Sequence, residues 1–255
     1  MTGASTRRIV SLVPSSTESV CRLGAAAQLV GCTRYCVEPA ADLHAVARIG
    51  GTKNPDREAI ARLAPELVLA NAEENRAEDI TWLAARFPML VQTPRTVAEA
   101  RAALRDLAQV LGATAALAPI EARIAAAVAT LASAGRRPRP RVFYAVWCKP
   151  WMGINRDTFV HDVLTLAGAV NVCADLDARY PRVDPSALVA NGLDLVLLPS
   201  EPWAFDAEQA TQLAAAGTFG TAVLRCCDGR DVCWHGVHLA VGLERVAAVL
   251  TPLPA

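Results

Sequence analysis

Neither sign of charge is in excess in this 255-residue chain, where Lys plus Arg and Asp plus Glu number 25 each. Without a net basic field, nothing electrostatic favours a nucleic-acid partner. The chain reads as lacking any apolar run that approaches the roughly 18 residues of a membrane helix, so no membrane insertion is expected. At the N-terminus, MTGASTRRIVSLVPSS follows two arginines with only IVSLV, too short for a signal-peptide core, and no small-residue cleavage site comes after it. As it stands the sequence predicts a cytoplasmic chain; a start lying upstream would make it periplasmic. Enzyme signatures are missing as well: there is no GxGxxG after a strand, no GxxxxGK[ST], no GxSxG and no HExxH. None of the eight cysteines has a partner at Cys-x-x-Cys spacing. Several, as at Val20-Cys21 and Val172-Cys173, sit among apolar neighbours where a reduced thiol packs as a small hydrophobe.

What the chain does have is a core. Hydrophobic residues make up 53%, enough to exclude disorder. Short apolar runs alternate with helical patterns. RIVSLV (8–13), QLVGCT, ELVLA (66–70) and MLVQ read as strands. Between them lie a helix opened at Ser15-x-x-Glu18 as a capping box, then REAIARL and AEDITWLAARF, and after them VAEARAALRDLAQVLG, ending at Gly112. Such alternation implies parallel pairing and an α/β fold. An alanine-rich stretch without strand signal follows, read as one long helix with Pro119 in its first turn and Gly135 as its stop. The rhythm then restarts. RVFYAV (141–146) and DLVLLP are strands, as are AVLRC and DVCW. DTFVHDVLTLAG is a helix capped by Asp157 or Asn155. DPSALVANG, DAEQATQLAAAG and GVHLAVGLERVAAVL are further helices. REAIARLAPELVLA (57–70) parallels PSALVANGLDLVLL (185–198), which points to two similar lobes joined by one helix: 1–112, a connecting helix at 113–136, and 137–255.

The polar residues gather just after the strands, where open parallel sheets bind ligands. They are Tyr35 to Glu38; Glu73, Glu74, Asn75 and Arg76; Trp147 to Arg156; Glu201-Pro202-Trp203; and Trp234-His235. Four of the five tryptophans fall in these loops, which suits a flat or bulky ligand, although a loop tryptophan can equally cap a core. In ARIGGTKNPD, Gly50 and Gly51 let the backbone approach closely, and Lys53 suits an anionic group. Cys226, Cys227, Cys233, His235 and His238 form a candidate metal group, with no standard zinc spacing. His161, mid-helix beside Asp162, reads as a surface or packing residue.

RIVSLVPSSTESVCRLG, LVGCTRYCVEP and GGTKNPDREAIARLAPELVLA resemble the N-terminal lobe of the helical-backbone (class III) substrate-binding proteins of vitamin B12, ferric-siderophore and haem ABC importers. RVFYAVWCKPWMGINRDTFVHDVLTLAGAVNV and RYPRVDPSALVANGLDLVLL are similar to the C-terminal lobe. The resemblance implies two Rossmann-like lobes with parallel sheets joined by a single long helix, and a bulky corrinoid or metal chelate held in the inter-lobe cleft. No catalysis and no resident cofactor are implied; cobalt or iron would belong to the ligand. Tyr35 matches a tyrosine of the corrinoid cleft, Tyr180 stands where that cleft has a tryptophan, and Thr52 stands where it has another. With Glu38, Lys53, Asn54, Glu73, Glu74, Asn75, Arg76, Trp147, Trp151, Arg156, Trp203 and Trp234, these make up the expected ligand contacts. A permease of the importer grips one glutamate on each lobe: Glu58 matches the first, and Ser186 occupies the second. Two other readings stay open. One is an enzyme acting on such a ligand through Cys36 or Cys148, which needs a depressed thiol pKa. The other is a metal sensor or store using the C-terminal Cys/His group.

Overall fold

The structure, a computed structural model, describes residues 7–133 and 139–250. It divides into two compact units. The first comprises the chain up to Pro94, Ala100–Ile120 and His235–Val237; the second comprises Arg95–Glu99, Glu121–Trp234 and the chain from His238 onward.

The first unit is built from β1 (Ile9–Ser11), α1 (Pro14–Arg22), β2 (Leu29–Cys32), α2 (Ala40–Leu43), β3 (Ala47–Arg48), α3 (Arg57–Arg62), β4 (Leu67–Ala70), α4 (Ala77–Ala84) and β5 (Met89–Val91). The strands form one parallel sheet in the order β3-β2-β1-β4-β5. Every residue of β1 and β4 is buried, as continuous apolar runs covered on both faces require. Val10, Leu12, Val13, Ile49, Ile60, Val68 and Leu83 form the core on one side. Strand order reverses at β1, so the loops after β1 and β4 leave the sheet in opposite directions, the geometry that opens a crevice at the carboxyl ends.

α5 (Val97–Leu111) and α6 (Thr114–Ser133) follow. α6 is shared by the two units, which change over between Ile120 and Glu121. The second unit contains β6 (Arg141–Tyr144), β7 (Trp147–Cys148), β8 (Trp151–Met152), α7 (Phe159–Leu166), β9 (Val170–Asn171), α8 (Pro185–Ala190), β10 (Leu195–Pro199), α9 (Ala207–Ala215), β11 (Val223–Cys227), α10 (Arg230–Cys233) and α11 (Leu239–Val249). Its parallel sheet runs β11-β10-β6-β9, and β7 and β8 form a separate antiparallel hairpin. Phe143, Leu188, Val196, Leu198, Phe205 and Phe219 fill its core. The two-lobed parallel α/β fold linked by a long helix is thus present. The echo between the units is local chemistry: Asp56 caps α3 by accepting from Ala59 N (2.9 Å), and Asp184 caps α8 by accepting from Ser186 N (2.9 Å).

Five expectations need correction. The Ser15-x-x-Glu18 box does not cap α1, because Pro14 starts the helix one residue earlier and Val13 is the N-cap, with no side-chain bond. α7 is capped by Thr158, whose Oγ1 accepts from His161 N at 3.3 Å, and not by Asp157 or Asn155. DVCW is not a strand: Asp228 Oδ1 accepts from Arg230 N at 3.0 Å, turning the chain into helix α10. α6 begins at Thr114, so Pro119 lies inside it rather than in its first turn, where its missing N–H removes one helical bond. That helix is also long and apolar enough, by length and composition alone, to cross a membrane. Its apolarity comes largely from alanine, it is mostly exposed, and its Arg123 pairs with Glu244 at 2.5 Å. Gly135 lies outside the described residues.

Candidate ligand-binding site

In the first unit the loops leaving β2, β3 and β4 meet. The GGTKNPD segment is a tight loop, closed by reciprocal backbone bonds between Gly51 and Asn54 (3.2 and 3.3 Å) and by pairing of Gly50 with Pro55. Gly50 holds φ +94°, and a Cβ there would lie 2.6 Å from Asn54 O. A Cβ on Gly51 would meet Asn54 Oδ1 at 2.5 Å and Arg34 Nη2 at 3.0 Å. Arg34 donates to Asn54 Oδ1 (3.3 Å) and lies 5.3 Å from the centre of the Tyr35 ring. Lys53 Nζ donates to Glu73 O at 2.7 Å, tying this loop to the one after β4. Tyr35 is 54% exposed. Glu38, Thr52, Glu73 and Glu74 are half-buried, and Lys53 and Asn54 are exposed.

Asn75 belongs beneath this surface rather than on it. It is buried, its Oδ1 accepts from Asn71 N (2.9 Å), and its Nδ2 donates to Leu12 O (3.3 Å) and Thr52 O (3.0 Å). It is the bracket that holds the β1, β3 and β4 loops together. Arg76, exposed at the start of α4, turns to Glu78 (3.7 Å).

In the second unit the equivalent edge carries aromatics. Trp147, 36% exposed, stands edge-on to Trp203 with ring centres 4.6 Å apart. Trp203 Nε1 is buried without a hydrogen-bond partner among the described residues. Trp151 stacks parallel to Phe205 at 6.0 Å and packs edge-on to Phe219 at 4.9 Å, so it serves the core first. Trp234 is buried, and its Nε1 donates to Glu201 Oε1 at 2.6 Å. Tyr180 is half-buried. Arg156, exposed, pairs with Asp175 and donates to Ala174 O (3.2 Å).

Two groups at this edge were not among the expected ligand contacts. Glu201 accepts from both Trp234 Nε1 and Cys233 Sγ (3.0 Å); only its place after a strand signalled it. Tyr144, in the middle of an apolar strand motif, is fully buried, with a hydroxyl lacking a partner among the described residues. Burial, with Cys233, Cys227, Glu201 and Tyr180 nearby, pushes that hydroxyl's pKa well up.

A family model described as periplasmic binding protein matches residues 9–215. The chain belongs to the periplasmic binding protein family. A curated vitamin B12-binding protein of Pectobacterium carotovorum subsp. carotovorum (strain PC1) is 24% identical over 205 residues, covering 77% of this chain and 72% of that protein. The crystal structure of the periplasmic vitamin B12-binding protein BtuF of Vibrio cholerae superposes with a TM-score of 0.81 at 21% identity, covering 96% of each chain. The periplasmic heme-binding protein RhuT of Roseiflexus sp. RS-1, in apo form, gives 0.80 at 20% identity, over 96% of this chain and 97% of that one. A cytoplasmic placement finds no support in this family, whose description is periplasmic.

The residues of the candidate metal group do not come together. Among the described residues no three His, Cys, Asp or Glu side chains are placed to hold a metal ion. His235 lies in the first unit, where its Nε2 accepts from Asn71 Nδ2 at 3.1 Å. Cys226 and Cys227 are successive strand residues, and such side chains point to opposite faces. Cys233 turns to Glu201, and His238 pairs with Asp231 at 2.9 Å. His161 stays in its own unit, between Thr165 (3.4 Å) and Asn171 (3.2 Å). Glu58 and Ser186 are exposed second residues of the two equivalent helices, α3 and α8.

Proposed function

We propose that this chain binds, without transforming, a bulky metal chelate of the corrinoid or haem type and presents it to an ABC importer. The Trp147–Trp203 pair carries this reading. An exposed indole held edge-on by a second, whose own N–H is buried and unpartnered among the described residues, offers a flat apolar surface with a spare donor. Tyr35, exposed on the first unit's strand-end loops, offers another ring. Lys53 and Arg34 beside it suit the carboxylates or phosphate of such ligands. Glu58 on α3 is the expected permease contact, and Ser186 leaves α8 without the matching charge.

Tryptophan fluorescence and thermal shift with hemin, cyanocobalamin and a ferric siderophore test the reading. One of them should quench the indoles and raise the melting temperature, and Trp147→Ala should weaken that ligand by roughly tenfold, the upper range for an aromatic contact. Neither quenching nor stabilisation with any of the three would rule out this ligand class.

A further inference from the structure

Cys32 and Cys36, four residues apart in the first unit, lie around one guanidinium. Cys32 ends β2, and Cys36 follows a turn closed by Cys36 N donating to Thr33 O at 3.1 Å. Both are fully buried. Arg48, opposite Cys32 in the parallel register, donates to Cys32 Sγ at 3.0 Å, to Cys36 O at 2.6 Å and to Thr33 O at 3.1 Å. Thr17 Oγ1 donates to Cys36 Sγ at 3.0 Å, and Thr33 Oγ1 lies 3.1 Å from the same sulfur. Arg48 thus ties the Cys32 sulfur to the backbone of Cys36.

We infer that Cys32 and Cys36 form a reactive dithiol that closes to a disulfide when a peroxide reaches it, locking the loop that carries Tyr35. Donors converging on Cys36 stabilise its thiolate. The Cys32 thiol, together with Thr17 and Thr33, brings its pKa down to about 6 against the opposing effect of burial, while the Cys32 pKa is pushed up. Buried Cys21 and Cys173 and half-buried Cys227 behave oppositely: desolvation lifts the first two to about 11 and the third to about 12. A thiolate is the nucleophile, so selectivity follows protonation as well as exposure. Cys36 lies beneath its own turn, whose Tyr35 and Val37 are each 54% exposed, and against Thr17 of α1.

The chemistry balances with hydrogen peroxide as the oxidant. The Cys36 thiolate attacks one peroxide oxygen, the O–O bond breaks, and Cys36 becomes a sulfenic acid as hydroxide leaves. The Cys32 sulfur then attacks the Cys36 sulfur, the S–O bond breaks, and its proton leaves with the hydroxyl as water. Two thiols are oxidised and one peroxide is reduced to two waters.

Arg34 lies between the two cysteines, which makes the product legible. Full-length protein treated with hydrogen peroxide at pH 7.5, alkylated and then digested with trypsin should release LGAAAQLVGCTR joined to YCVEPAADLHAVAR, separable by dithiothreitol. The reaction should slow about tenfold at pH 5, where the thiolate is protonated. In Cys32→Ser, the sulfenic acid on Cys36 should persist and be trapped by dimedone. Recovery of both wild-type peptides separately alkylated, with oxidation confined to the exposed Cys226, would overturn the proposal. So would a link that forms only in urea. Wild-type mapping decides the matter even if the variant fails to fold, and it is independent of what the protein binds.

Discussion

Acid should weaken the first unit through one side chain. His235 is buried, and its Nε2 accepts from Asn71 Nδ2. Asn71 is not free to turn its amide round, because its Oδ1 accepts from Glu73 N (2.7 Å) and Glu74 N (3.3 Å). A protonated His235 would therefore set N–H against N–H, on top of losing its hydration. Desolvation lowers its pKa from 6.5 to about 4. The folded state thus binds the proton more weakly than the unfolded chain. The stability that neutral His235 confers is complete above pH 6.5 and is lost as pH falls towards 4. With those values the loss is about 2 kcal/mol at pH 5 and about 3 kcal/mol at pH 4. His161, whose pKa is also lowered, chiefly by burial, adds in the same direction. Urea melts of the wild type, His235→Gln and His161→Gln at pH 7.5, 6 and 5 measure the effect. The glutamine at 235 can start from a lower stability, but its slope between pH 7.5 and 5 should be shallower by about 2 kcal/mol. Equal slopes for wild type and His235→Gln would refute the reasoning.

Three further outcomes are expected. Gly236→Ala should destabilise by about 1–3 kcal/mol in the same melts, because Gly236 has φ +91° and a Cβ there would sit 2.3 Å from Ser19 Oγ. Gly51→Ala should leave the melting temperature within a few degrees yet weaken binding of whichever chelate the wild type takes up, since the new methyl displaces Asn54 and Arg34; unchanged titration curves would separate that loop from the ligand. Asp184→Ala should cost about 1 kcal/mol, read by thermal unfolding, through loss of the α8 cap.

How much of this was legible beforehand depends on the range of the force involved. Continuous apolar runs such as Leu67–Ala70 and Leu195–Pro199 announced buried parallel strands, because a strand covered on both faces has no polar side. The GGTKNPD loop announced its turn through glycine and asparagine, whereas the caps Asp56 and Asp184 were not picked out, although a cap is a bond across only two or three residues. The tandem pattern of helix, turn and strand gave away the repeated lobe. Signals that compete locally were misread. Ser15-x-x-Glu18 looked like a cap until Pro14 began the helix, and DVCW looked like a strand until Asp228 turned it.

Other assignments could come only from the folded chain, because they bring together residues far apart in sequence. Asn75 and Trp234 looked like ligand contacts and are buried supports, one bracketing three loops and the other bonded to Glu201. His235 looked like a metal ligand and is a neutral core acceptor for Asn71, 164 residues away. Cys36 and Cys148 were equal candidates for a reactive thiol until Thr17, Thr33 and Arg48 closed around the Cys36 turn. A side chain's identity sets what it can donate, accept or titrate. Whether it does so depends on desolvation and on partners that distant segments supply, and tertiary packing alone decides those.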